Sequence, residues 1–155
     1  MLASCSESNN SETGELIPNP DIDLTDLHGT WNKACSINLD IENIYKEEFL
    51  KTFGTQTDNP SVISIGYSNY SDSDCTVLPA PAEGLVLTQA SNLGISPYGI
   101  YNTSEGVSAK VVEFESEYNG ALKMAYIISG NTLYFALERN SKFSFDFNEP
   151  YLLNE

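Results

Sequence analysis

Between Val107 and Leu137 three apolar-rich runs are joined by two tight-turn signals, and this ladder constrains the fold more than any other stretch. Val111 to Tyr118 leads into Asn119-Gly120, a pair that readily adopts the left-handed dihedrals of a type I′ turn. Ala121 to Ile128 leads into Ser129-Gly130-Asn131, and Thr132 to Leu137 follows. Leu122, Met124, Tyr126 and Ile128 share one parity, and Leu133, Phe135 and Leu137 share another, so each run presents one apolar face as an antiparallel strand does. A three-strand meander cannot bury such a face alone. The other strands must curl round it or pack against it.

The length of 155 residues suits one domain with a real core. With 22 acidic against 7 basic residues, the net charge of -15 repels nucleic acid and anionic membrane surfaces, so no nucleic-acid partner is expected. No run reaches the roughly twenty apolar residues needed to cross a bilayer. Met1-Leu2-Ala3-Ser4-Cys5 opens the chain without a basic region or apolar core before it, so a complete signal peptide is not read here.

Residues 1–26 are rich in Ser, Asn, Asp, Glu and Pro, and read as an acidic, flexible tether. Ile17, Ile22 and Leu24 are its candidate docking residues. Residues 27–155 form the expected folded domain. Leu27, Trp31 and Ala34 mark a first strand, with Trp31 plugging one end of the core. Asp40 to Phe53 has mixed helical and strand spacing and is assigned to strand, followed by a hairpin loop at Gly54 to Pro60. Ser61 to Tyr70 alternates cleanly, with Ile63, Ile65 and Tyr67 on one face. Ser71 to Cys75 is a polar corner, and Pro79 and Pro81 forbid a central strand after it. Leu85 to Thr88 is at best a short strand. Ser91 to Glu105, with Gly94, Pro97 and Gly99, reads as a long loop. Phe143, Phe145 and Phe147 alternate as a last strand expected to close the sheet beside Trp31, and Pro150 to Leu153 is left as a tucked tail. The sum is an all-β fold, an up-and-down antiparallel barrel of seven or eight strands.

Few catalytic constellations can be assembled. His28 is the one histidine and stands at an element's edge, where a structural role is expected. No zinc-type cysteine pair, phosphate-binding glycine loop or Gly-x-Ser-x-Gly elbow is present, so no catalytic residue, metal or cofactor is assigned. Glu113 and Glu115, continued by Glu117, form an acidic face that reads as solvated and whose hydrolytic use is the weaker alternative. Asp72 and Asp74 lie two apart on the polar corner without a calcium-loop pattern. Tyrosine is more informative, at nine residues. Tyr67, Tyr70, Tyr98, Tyr101 and Tyr126 are the candidate ligand-binding set, on a barrel mouth or groove, against the plainer reading of core packing. The three cysteines leave two readings open: all free thiols, or a Cys35–Cys75 disulfide with a separate task for Cys5.

Gly29-Thr30-Trp31, with Cys35 four residues on, resembles the opening strand of lipocalin-like β-barrels. Together with Tyr70-Ser71-Asp72-Ser73-Asp74-Cys75, the Ile128 to Phe135 run and Pro150-Tyr151, it is similar to a group of small bacterial lipoproteins with a lipocalin-like domain. The resemblance covers about residues 27–152 and implies that Cys35 and Cys75 form a disulfide. Leu2-Ala3-Ser4-Cys5 resembles a lipobox, which makes Cys5 the acylated residue, and Ser6 resembles the following residue of outer-membrane lipoproteins. The chain lacks the second and third signature regions of ligand-carrying lipocalins. The expected function is that of a non-enzymatic envelope lipoprotein binding a small hydrophobic molecule, a glycan or an envelope protein. The alternatives are a structural or inhibitory interaction module using residues 91–105, and a small hydrolase using paired carboxylates.

Overall fold

The computed structural model of the protein describes residues 14–115 and 122–154. In chain order the strands are β1 (Glu15–Pro18), β2 (Thr30–Asn32), β3 (Ser36–Ile37), β4 (Tyr45–Thr52), β5 (Val62–Tyr70), β6 (Thr88–Asn102), β7 (Ser108–Phe114), β8 (Lys123–Ser129), β9 (Thr132–Arg139), β10 (Lys142–Phe143) and β11 (Tyr151–Asn154). One 3-10 turn, Thr25–Leu27, precedes β2. Eight of these strands close a ring in the order β2-β4-β5-β6-β7-β8-β9-β11, with β11 returning to β2. Every pairing in it is antiparallel, so the protein is an up-and-down, lipocalin-like barrel. The three short strands β1, β3 and β10 are added at its margins.

The ladder that dominates the sequence is the β7-β8-β9 wall. Gly130 supplies the positive φ of 63° that the β8–β9 turn requires, and Leu133 pairs with Ile128 across it. Met124, Tyr126 and Leu133 point into the barrel core with Trp31, Leu50, Ile63, Ile95, Val112 and Phe114. The opposite parity of the same wall is also covered. Ala109, Val111, Ala125 and Ala136 pack with Tyr101 and Phe143 in a second cluster on the barrel's outer side. Small side chains on that face let Tyr101 and Phe143 lie close to the strands, with their rings 4.9 Å apart. The Asn119-Gly120 turn lies outside the described residues.

Asp40 to Phe53 does contain a strand, β4, and its inward residues are Leu50 and Thr52. The Tyr45, Phe49 and Phe53 parity therefore faces outward.

Several expectations are corrected. The segment 91–105 is mostly strand. β6 is the longest strand, pairing with β5 through its first half and with β7 and β1 through its second. Pro97 is tolerated because the β6–β7 register shifts between Pro97 and Gly99, a bulge at which a missing N–H does little harm. Gly99 is needed there because a β-carbon would collide with the Ile17 carbonyl of β1. Two residues that read as loop makers thus bend one continuous strand around the barrel.

Nor do Phe143, Phe145 and Phe147 close the sheet. Only Lys142–Phe143 pairs, with β9, and the aromatic rings lie on the outer face. The closing strand is β11, where Leu153 pairs with Trp31. The first strand is also shorter than expected. Leu27 sits in the 3-10 turn and Ala34 lies beyond β2. Upstream of Leu27, the described leader is built into the fold: β1 pairs with β6, and Ile22 and Leu24 are buried in the barrel core.

Candidate functional site

The barrel's two ends are finished differently, and the difference begins with the leader. After β1, residues 19–28 cross one end and place Ile22, Leu24 and Leu27 against the core. Each polar backbone group that this crossing buries needs a partner. Asn59 supplies two: its Oδ1 accepts from the Leu24 N–H at 2.7 Å and its Nδ2 donates to the Ile22 carbonyl at 3.3 Å. The Trp31 indole N–H donates to the Leu27 carbonyl at 3.0 Å. Asp26 accepts from the Tyr126 hydroxyl at 2.8 Å and pairs with Lys110 Nζ at 3.2 Å, while Lys110 also donates to the Asp23 carbonyl. Burial, reinforced by the Asp26 carboxylate, pushes the Tyr126 phenol above the ordinary tyrosine range. His28 joins the same closure, with its Nε2 2.7 Å from the Asp58 carbonyl and its Nδ1 3.3 Å from Thr52 Oγ1.

At the other end the inner wall changes character. Register across β4, β5 and β6 defines inward-facing rows, since directly paired residues project to the same side. Thr52, Ile63 and Leu93 form the row nearest the closed end, followed by Leu50, Ile65 and Ser91, and then by Glu48, Tyr67 and Gln89. Leu50 and Ile63 are fully buried, Ile65 and Tyr67 are half-buried, and Ser91 and Gln89 are exposed. This wall therefore grades from apolar and sealed to polar and open over three rows.

The open row is organised. The Tyr67 hydroxyl donates to Gln89 Oε1 at 2.9 Å, and Lys46 Nζ lies 5.7 Å from the Tyr67 ring centroid. Lys33 Nζ lies 3.9 Å from Glu48 Oε2 and 5.3 Å from the Tyr151 ring centroid, and Tyr151 packs on Phe135 at 5.1 Å. The result is a rim of hydrogen-bonding and charged groups around an aromatic ring, above half-buried Ile65, Leu93 and Phe135. Such a surface can hold a small molecule with one apolar face and a hydroxylated edge.

Loops at this end are tied to the barrel. Cys35 and Cys75 form a disulfide with their Cα atoms 5.7 Å apart, joining the chain after β2 to the corner after β5. Asn69, buried at the end of β5, donates to the Val86 carbonyl at 2.7 Å and accepts from Asn38 Nδ2 at 3.0 Å. Asp72 caps the corner: its carboxylate accepts from the Thr76 N–H, the Thr76 hydroxyl and the Val77 N–H at 2.9, 2.6 and 2.9 Å. Those bonds, the Thr76 hydroxyl foremost, hold its pKa below the ordinary carboxylate value.

The five tyrosines singled out in the sequence are distributed over the barrel. Tyr67 belongs to the mouth. Tyr126 is 1% exposed inside the closed end, and Tyr101 is buried in the outer cluster. Tyr98 sits at the β6 bulge beneath Lys123, whose Nζ is 4.7 Å from its centroid, and Tyr70 is half-buried opposite Tyr45. The mouth residues that residue type did not reveal are Lys33, Lys46, Glu48, Gln89 and Ser91. Their signal is parity along their own strands, Lys46 and Glu48 with Leu50, Lys33 with Trp31, and Gln89 and Ser91 with Leu93, which marks them as inward despite their polarity.

Glu113 alternates with the inward Val112 and Phe114, so it and Glu115 lie on the outer side of the β7 wall, Glu115 exposed. Among the described residues no group of three or more His, Cys, Asp or Glu side chains is placed to hold a metal ion. Cys5 and Glu117 lie outside the described residues.

These features define a lipocalin-like barrel with one sealed end and one open, polar-rimmed end. No known protein-family model, curated protein or solved structure matches the chain.

Proposed function

We propose that this chain is a non-catalytic binding protein of the bacterial cell envelope, anchored in the outer membrane by acyl chains on Cys5, and that it takes a glycan at the open mouth of the barrel. The observation that carries the reading is the open inner row of half-buried Tyr67 and exposed Gln89, polar side chains on the face that carries buried Ile63 two rows deeper. A sugar ring has an apolar face that stacks on an aromatic platform and hydroxyls that bond to amide and charged groups at its edge. A purely hydrophobic ligand would need enclosed apolar volume, and the deeper barrel core is filled by Trp31, Leu50, Met124, Tyr126 and their neighbours.

The anchor fits the same orientation. Glu15 pairs with Asn102 at the closed end, so a chain held upstream of it leaves the mouth pointing away from the bilayer. Acyl chains hold by hydrocarbon burial, about 0.8 kcal/mol per CH₂, and the acidic domain need not touch the anionic surface.

Titration calorimetry against a panel of envelope oligosaccharides tests the binding, with Tyr67→Ala and Gln89→Ala as controls. Saturable binding to at least one oligosaccharide, weakened by about tenfold or more in Tyr67→Ala, supports the reading. Silence across the panel, or binding indifferent to both substitutions, overturns it. Intact mass of the protein from its native host reads the acylation of Cys5 directly.

A further inference from the structure

Beside the mouth, the two loops that flank the disulfide line a separate open cavity of about 440 Å³. Its walls are Ile41 and Ile44 from the loop between β3 and β4, and Pro79, Ala80, Ala82 and Leu85 from the loop between β5 and β6. Glu42 and Glu83, one on each loop, stand at its edge and are exposed. These loops and the end of β3 hold apolar side chains out in water: Leu39 is 92% exposed, Leu78 63% and Ile37 of β3 61%, with Val77, Val86 and Leu87 also exposed. Scattered single exposed leucines are ordinary, but five exposed apolar side chains on these loops, with Ile37 beside them, around one apolar cavity are the mark of a contact surface.

Charge decides between the surfaces that could cover it. An anionic bilayer would meet Asp40, Glu42 and Glu83 on a chain of net charge -15 and be repelled. A polypeptide carrying lysine or arginine beside leucine or phenylalanine would bury an apolar side chain in the cavity and bring its cations to the two carboxylates.

We propose that this loop crown is the docking site for a cationic, amphipathic segment of a partner protein, distinct from the glycan mouth. The cavity accepts one or two apolar side chains of that segment, and Glu42 and Glu83 fix its orientation. Cys35–Cys75 links the chain leading into one loop to the corner leading into the other, and so ties the two walls of the site together.

The test uses the whole chain and a short amphipathic peptide of leucine and lysine, with its leucine–glutamate twin and phosphatidylserine vesicles as the other arms. The Lys peptide binds, shifts the NMR resonances of Ile41, Ile44, Ala80 and Ala82, and weakens as salt is raised. Ala82→Phe, which fills the cavity from an exposed position and leaves the barrel intact, lowers affinity by about tenfold or more. The pair Glu42→Gln and Glu83→Gln lowers it by about two- to tenfold. Equal binding of the Glu twin, shifts confined to Tyr67 and Gln89, or affinity unchanged in Ala82→Phe would overturn the assignment. Vesicle binding that depends on Leu39 in a protein that ignores the peptide would overturn it in favour of a lipid surface. Failure of the peptide leaves glycan binding at the mouth untouched, since the two sites share no residue.

Discussion

The sealed end and the open end of this barrel use the same eight strands for opposite purposes. At the sealed end Leu24, Leu27, Trp31 and Ile63 are fully buried, and the polar groups beside them find partners: Asn59 with Ile22 and Leu24, Trp31 with Leu27, Tyr126 with Asp26. At the open end Glu48 and Tyr67 are half-buried and Gln89 and Ser91 exposed, Tyr67 bonds to Gln89, and buried Asn69 ties the loops to the barrel. Stability should therefore concentrate at the first and recognition at the second. Substitutions that separate the two properties are the way to test this.

The largest effect is expected at the sealed end. Trp31→Ala removes the most voluminous fully buried side chain and its hydrogen bond to Leu27, and should cost about 3–5 kcal/mol in denaturant unfolding. A cost comparable to an exposed-site change would break the contrast. Next comes the disulfide, which closes a loop of sequence separation 40 at the open end. Replacing Cys35 and Cys75 by serine should cost at most about 4 kcal/mol and loosen the loops around Asn38 and Asn69, read as faster amide exchange there than at Val111.

A smaller effect is expected at Tyr126. Tyr126→Phe loses the bond to Asp26 and should cost about 1 kcal/mol. The sign of its pH dependence is fixed: the folded phenol's pKa lies above the ordinary 10.0, so its contribution is present below about pH 10 and is lost as pH rises beyond it. Wild-type melting temperature should fall across that alkaline window, and Tyr126→Phe should flatten the fall. The smallest stability change belongs to Tyr67→Ala, within about 0.5 kcal/mol, even though it removes the platform of the mouth. If Tyr67→Ala destabilises as Trp31→Ala does, the mouth is core and not a site.

Much of this architecture was legible in the chain. The alternation of Met124 and Tyr126, of Leu133 and Phe135, and of Ile63 and Ile65 gave strands of the right parity, because each places its larger apolar side chains on the face toward the core. Legibility failed where backbone chemistry and tertiary pairing disagreed. Gly94, Pro97 and Gly99 read as a loop, yet a bulge and a close approach to β1 keep them in β6. The alternating phenylalanines from Phe143 read as a strand, yet their rings found a second apolar surface on the barrel's outside, and the shorter Tyr151–Asn154 made the closing pairs. The candidate site failed for a related reason. Gln89 and Ser91 are polar residues facing inward, and polarity alone reads as outward. Tyrosine content pointed to the right residue type but scattered over core, outer cluster and mouth, with Tyr67 as the member that reaches the open row.

The central claim is that ligand is taken at the open row and nowhere near the leader's closure. Residue-resolved NMR titration of the oxidised chain with an oligosaccharide that binds tests it most directly. Perturbations should centre on Lys46, Tyr67, Gln89 and Ser91 and leave Asn59, Lys110 and Tyr126 unmoved. Shifts centred on Asn59 and Lys110, or on the outer cluster around Phe143, would contradict it.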